Sequence, residues 1–277
     1  MSSTVVFLAS LDASALASPL EPSSGATAAF DRYVQSRESA ENEEIASRRN
    51  FLWIDRLPEQ ERSQAHALLK DGQTFIRRSP ECEPGHCDSI RGGLIHDWVG
   101  IVFVPGVSLE QTLTTLQNYD RDADYYRPQV VRSKLLSRSA NTFHVFLQLK
   151  QTHIITVVLD TEYEIQYLLI DNAHAASHSH STRITEVKNA DASQKHSGDT
   201  QEDHGFLWRL NSYWHFYQAD GGVYVQCSAI SLTRDVPTGL GWLIGSFVEN
   251  IPSDSLRFTL TATRQALLDR FRINTDK

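Results

Sequence analysis

Three histidines crowd the segment "HAASHSH": His174, His178 and His180. Imidazole is a common metal ligand and changes charge near neutral pH. On a strand His178 and His180 would point the same way and could share a metal. The setting is Ser/Ala-rich, with no nearby Cys or paired carboxylate. The segment therefore reads as a solvated connection. "CEPGHC" places Cys82 and Cys87 around a Pro-Gly turn, with His86 and His96 close in sequence. C-x4-C with one flanking His matches zinc spacing poorly. In an oxidising compartment the two thiols could close a small loop, and their pairing stays open. Cys227 alternates with Val223, Val225 and Ala229 and reads as a packed core thiol. We expect no metal and no cofactor.

Acid–base chemistry has little to work with. His96 adjoins Asp97, but neighbouring strand residues face opposite sides of a sheet, so the two form no dyad. His215 falls on the polar side of its strand and reads as exposed. No nucleophile elbow, phosphate loop, HExxH helix or dinucleotide fingerprint occurs. A buried acid or base would have to come from groups such as His96, Tyr163 or Arg209. No catalytic residue is assigned.

The elements that carry these residues follow from composition and pattern. The 277 residues are 40% hydrophobic and 22% charged, the texture of a globular chain. Acids outnumber bases 34 to 26, and a net charge of −8 disfavours a nucleic-acid partner. No apolar run approaches the ~20 residues of a membrane-spanning helix. Residues 1–27 are Ser-, Ala- and Pro-rich and are expected to be disordered or the remnant of an export signal. Ala15-Leu16-Ala17 followed by Ser18-Pro19 resembles a signal's end, but a basic start is missing and Asp12 interrupts. Exported and cytoplasmic locations both stay open.

Residues 28–92 read as a helical extension and linker, charged and sparse in apolar positions. From residue 93 strands take over. "LIHDWVGIVFVPG" is β-rich, Ser108-x-x-Gln111 is a capping box, and a short second helix or turn ends before Pro128. About six antiparallel strands follow, from the alternation in "TFHVFLQLK", "IITVVLDTEYEIQY" and "FLWRLNSYWHFYQ", with "TRITEVK" a shorter one. Asp220-Gly221-Gly222 turns a hairpin. A long helix is expected from Pro252-Ser253, with Leu256, Leu260, Thr263 and Leu267 at helical spacing.

This order resembles the START-related superfamily of lipid-transfer domains, birch-pollen-allergen-like proteins and polyketide cyclases. The resemblance rests on "VGIVFVPGVSLEQTLTTLQNYDRDADYYRPQVVRSKLL" and "IPSDSLRFTLTATRQAL" and covers about residues 93–271. It implies an α+β helix-grip fold: a curved antiparallel sheet around a long C-terminal helix, here with an N-terminal helical extension. It also implies an apolar ligand, a hydrophobic small molecule or lipid, held between sheet and helix. Strand parity nominates Phe143, Val145, Tyr163, Trp208, Trp214 and Val225 as lining. The passage "RDVPTGLGWLIGSFVENIP" adds Trp242 and Phe247, on the reading that Gly239, Gly241 and Gly245 bend the chain around a cavity rim. Exposed, that passage would touch a membrane transiently, or a partner. A cyclase- or dehydratase-like enzyme and a protein-interaction module are the alternatives. We expect a monomer.

Overall fold

A computed structural model of the chain describes residues 21–82, 90, 92–152, 156–187, 207–234 and 241–272, without the side chains of Glu81, of 241–250 and of Arg272. The chain opens with α1 (Ser24–Ser47), a 3-10 turn (Trp53–Arg56), α2 (Glu59–Lys70) and β1 (Phe75–Arg78). β2 (Leu94–Pro105), α3 (Leu109–Leu116) and α4 (Asp122–Tyr125) follow. Then come β3 (Val130–Ser139), β4 (Thr142–Thr152), β5 (Thr156–Leu169), β6 (His174–Glu186), β7 (Arg209–Ala219), β8 (Gly222–Thr233) and α5 (Gly241–Arg272).

The strands form one antiparallel sheet in the order β1-β2-β8-β7-β6-β5-β4-β3. β3 to β8 are a meander, each strand pairing with its neighbour in sequence. β2 closes against β8 with an unbroken register from Leu94↔Thr233 to Pro105↔Gly222. β1 adds an outer strand within the segment expected to be helix and linker. The sheet curves around α5 in the helix-grip arrangement. The capping box forms as the pattern requires: Ser108 Oγ accepts from Gln111 N at 3.1 Å, and Gln111 Oε1 accepts from Ser108 N at 2.9 Å. Among the described residues, no helix is long and apolar enough to cross a membrane.

Both faces of the sheet are covered. On the inner face, toward α5, Val102, Val104, Phe143, Val145, Phe216 and Val225 share one core with Leu256, Leu260 and Leu267. On the outer face the N-terminal segment packs through Ile45, Phe51, Trp53, Ile54 and Leu69 against Val99, Ile101, Phe103 and Tyr224. A third cluster joins Phe30 to Ile95, Tyr213, Ile230 and Leu232.

Three expectations are corrected. His174, His178 and His180 lie on β6, not in a solvated connection. Ser and Ala are weak strand formers, and pairing on both sides by β5 and β7 overrides that preference. His215 is buried, 3% exposed, because α1 and the residues after it cover its face. The last helix starts at Gly241 and carries Pro252 inside it. Leu243, Phe247 and Ile251 recur at four-residue spacing, a helical signal stronger than the interior proline, which removes one backbone hydrogen bond. Leu240 and Gly239 lie outside the described residues.

Gly100 is where the helix comes closest to the sheet. A Cβ there would stand 2.5 Å from Leu260 Cδ1 and 3.3 Å from Leu256. Gly100→Ala should lower unfolding stability by about 1–3 kcal/mol through overpacking, measured by urea titration. Combined with Leu260→Ala, the loss should be less than the sum of the two single losses.

Candidate functional site

α5 lies along β2 and β8, with its flank on β1. The curl of the sheet brings its far side back to the same helix. Gln151 Nε2 at the end of β4 donates to Ser255 Oγ at 3.0 Å, and Tyr126 OH pairs with Thr263 Oγ1 at 2.9 Å. β7, β6 and β5 therefore span a space walled by β2 on one side and β4 on the other.

The floor of that space is made by register. Trp98, Ala229, Ser212, Ser179, Ile165 and Phe143 are consecutive cross-strand partners from β2 to β4. The middle of this row is small and its ends are large. In the next row Gly100, Cys227, Trp214, Ser177 and Tyr167 are partners. β6 contributes Ala175, Ser177, Ser179 and Ser181 to the inner face, so side-chain volume is lowest along this strand. These β6 residues are themselves buried, and the half-buried inner positions lie on β2, β8 and β7. Trp98, Ala229, Leu210, Ser212 and Trp214 are half-buried on the inner face, while their outer-face neighbours Val99, Ile230, Asn211, Tyr213 and His215 are buried. These half-buried residues, two indoles among them, outline a trough on the inner face of β2, β8 and β7.

The polar groups of the trough are hydroxyls. Trp214 Nε1 donates to Ser212 Oγ at 3.3 Å, and the Leu210 amide donates to Ser181 Oγ at 3.0 Å. At one end Tyr119 OH and Tyr167 OH are paired at 2.9 Å, and both rings meet Phe143 edge-on. Burial pushes the Tyr119 and Tyr167 phenols well above their ordinary range, so both stay neutral. Tyr163 is pushed up to about 12 by burial, partly offset by its hydrogen bond with Thr161. Beside this pair sits Asp122, 6% exposed. Burial, and then the Asp120 carboxylate, raise its carboxyl well above the usual range. Among the described residues no donor bonds that carboxyl. A neutral carboxylic acid next to neutral phenols can donate a proton or a hydrogen bond.

The structure sorts the sequence-nominated residues. Phe143, Val145, Tyr163 and Val225 are buried in the core shared with α5, and Trp214 packs against it half-buried. Trp208 packs elsewhere, against the cluster of Phe30, Ile95 and Leu232. Trp242 and Phe247 lie on the first turns of α5, with side chains outside the described residues. His96 is on the inner side, its Nε2 3.0 Å from Thr233 Oγ1; Asp97 is on the outer side, bonded by Tyr33 OH at 2.7 Å. Arg209 shares the outer parity of Asn211 and Tyr213. Cys82 is disulfide-bonded; Cys87 and His86 lie outside the described residues. Sequence reasoning missed Trp98, Ser179, Ser212 and Asp122. Strand parity could have found the first three. Asp122 sits in an acidic turn, "DRDAD", that gives no hint of burial.

No protein-family model matches the sequence, and no curated protein matches it. Solved structures of similar fold exist. A STAR-related lipid transfer protein from Xanthomonas axonopodis is 16% identical, with a TM-score of 0.42 over 69% of this chain and 98% of that one. The Zhui aromatase/cyclase from Streptomyces is 10% identical, with a TM-score of 0.43 over 65% and 97%. A START superfamily protein from Mycobacterium smegmatis is 9% identical, with a TM-score of 0.40 over 65% and 99%.

Asp122 makes a sharp stability prediction. Its folded pKa is raised, so above about pH 3.9 the unfolded chain releases a proton that the folded protein keeps. Stability from this group therefore falls as pH rises. Asp122→Asn should make the protein more stable than wild type at pH 7, by about 1–3 kcal/mol, with the difference vanishing near pH 4. Urea unfolding at the two pH values measures it.

Proposed function

We propose that this protein binds an apolar small molecule or lipid in the trough between the inner sheet face and α5. One observation carries the reading: in the central strands β2, β8 and β7, the accessible side chains around Trp98, Ser212, Trp214 and Ala229 lie on the face that a helix covers. A close-packed interior leaves few such gaps, and an apolar one with a few convergent hydroxyls is the usual form of a ligand site. The driving force is removal of ligand surface from water, about 25 cal/mol per Å² before ordering costs. Trp98 and Trp214 supply flat apolar walls, and the serine hydroxyls supply orientation. Phe143, Val145, Tyr163 and Val225 support the trough from beneath α5 and meet the ligand as the helix shifts. Trp242 and Phe247, on the first turns of α5, complete the lining. Trp208 belongs with the N-terminal cover.

An enzymatic version, cyclase- or dehydratase-like, draws support from Asp122. A neutral acid beside the Tyr119–Tyr167 pair is the kind of group that such chemistry needs at one end of an apolar pocket. A protein-interaction module would use the N-terminal segment to dock a partner, but that segment buries its apolar residues on its own sheet.

Filling the trough tests the binding reading. Ser212→Trp and Ala229→Phe should each weaken binding of a solvatochromic apolar dye by at least about tenfold, the equivalent of 1.4 kcal/mol, with the circular dichroism spectrum retained. Protein purified from its own host should also carry an organic-extractable compound visible by native mass spectrometry. Equal dye affinity in wild type and both filled variants would sink the proposal.

A further inference from the structure

α1 reads from sequence as a charged helix with little to bury, yet it lies on the sheet. Between the apolar contacts of Phe30 and Ile45 its sheet-facing side is polar: Tyr33, Arg37, Glu38 and Glu41 recur at helical spacing. Each meets a polar group of the outer face. Tyr33 and Arg37 reach Asp97, the latter at 3.1 Å. Glu38 accepts from Tyr213 OH at 2.9 Å. Glu41 Oε1 stands 3.0 Å from His215 Nε2 and 3.5 Å from His178 Nε2.

His215 is the unusual member. Its Nδ1 lies 2.7 Å from the Phe51 carbonyl oxygen and its Nε2 lies 3.0 Å from the Glu41 carboxylate. Both neighbours are acceptors only. A neutral imidazole has one N–H and would turn a lone pair toward one of them. An imidazolium satisfies both. The Gln226 amide nitrogen at 3.4 Å from Nδ1 is the weaker contact, and Gln226 Oε1 is already taken by the Trp53 amide at 2.6 Å. Phe51 stacks on the His215 ring, with centroids 4.7 Å apart, and shuts water out. The other charged groups facing the pair are His178 from β6, Glu38, Glu44 and Arg37 from α1, and Arg56, which is salt-bridged to Glu44. The Cys227 thiol lies on the far side of β8. Where α1 ends, Arg48 adds a bridge to Asp171 at 3.5 Å, and Asp171 holds His174 at 2.9 Å.

We infer that Glu41 and His215 form a proton-operated latch for the N-terminal helix: α1 lies closed on the outer face while His215 is doubly protonated and loosens when it is neutral. Loss of the proton leaves a buried carboxylate facing a lone pair, which is repulsive and unsolvated. The neighbours set the working window. Burial pushes the Glu41 carboxyl up, but hydrogen bonds from His178 and His215 outweigh it and hold it at about 2. Its contribution is present above about pH 4.5 and is lost as pH falls toward about 2. His178 is raised above 6.5 by its bond to Glu41, against the opposing effect of burial. Its contribution is full below 6.5 and is lost as pH rises through the folded value. The latch is tightest between these limits and opens toward alkaline pH. Opening uncovers the apolar partners of Phe30: Ile95, Tyr213, Ile230 and Leu232.

Hydrogen exchange on the full chain tests this. After correction for intrinsic rates, amides of 24–47 should lose protection between pH 6 and pH 9, on the order of tenfold per pH unit where only the closed form keeps the proton, while amides of β2 and β8 do not. Glu41→Gln keeps the shape and offers an amide donor to a neutral His215. It should abolish that pH dependence. Equal α1 protection at pH 6 and 9 in the wild type overturns the latch, as does a Glu41→Gln protein that keeps the wild-type pH response. If that variant does not fold, the nitrogen-15 shifts of the His215 ring in the wild type decide. Two protonated nitrogens at pH 6 and one at pH 9 are expected, and one protonated nitrogen at pH 6 refutes the inference.

Discussion

The contact on which the rest depends is the approach of α5 to β2 at Gly100. Leu256 and Leu260 sit where any side chain at residue 100 would be. That contact pins the helix over one side of the sheet, along β2 and β8. The sheet must then curl to bring β4 and α4 to the helix, at Gln151–Ser255 and Tyr126–Thr263. A curved sheet pinned at one side and closed at the other leaves space over its middle strands. The small residues of β6 are buried there, and the half-buried inner positions lie on β2, β8 and β7. The trough is thus tied to where the helix sits.

The second constraint is that the outer face has no solvent to turn to. β2, β8 and β7 carry apolar residues on both sides, Val99 and Val102 or Tyr213 and Phe216. A sheet of this kind needs a layer on each face. The N-terminal segment supplies the outer layer partly by burying Phe51, Trp53 and Ile54 and partly by matching charges. Buried ion pairs contribute little net stability against their desolvation, but removing one partner is costly. Such contacts specify where α1 sits, and the orientation of His215 shows how closely that position is set.

The two faces meet in β7, where Trp214 points into the trough and His215 into the outer cover. One strand therefore carries both a wall of the proposed binding trough and the partner of Glu41. The inner face keeps its polarity neutral: serine hydroxyls, raised phenols and a carboxyl raised by burial. The outer face keeps its polarity ionic. The division follows from what each face contacts, the apolar side of α5 on one and the polar side of α1 on the other.

Much of the fold was legible in the residues alone. The alternation in β4, β5 and β7, the Ser108–Gln111 box, the Asp220-Gly221-Gly222 turn and the leucine spacing of α5 are local signals, and local signals survive without a partner. From them the order of elements and the inward parity of Phe143, Val145, Tyr163, Trp214 and Val225 follow. Tertiary structure decided what depends on neighbours distant in sequence. β6 is a strand because β5 and β7 pair with it, although Ser, Ala and His favour none. His215 and Asp122 are buried because α1 and the inner core cover them, and no pattern in their own segments says so. Alternation tells which way a side chain points; whether water, a helix or a cavity lies there is set by contacts the chain makes only when folded.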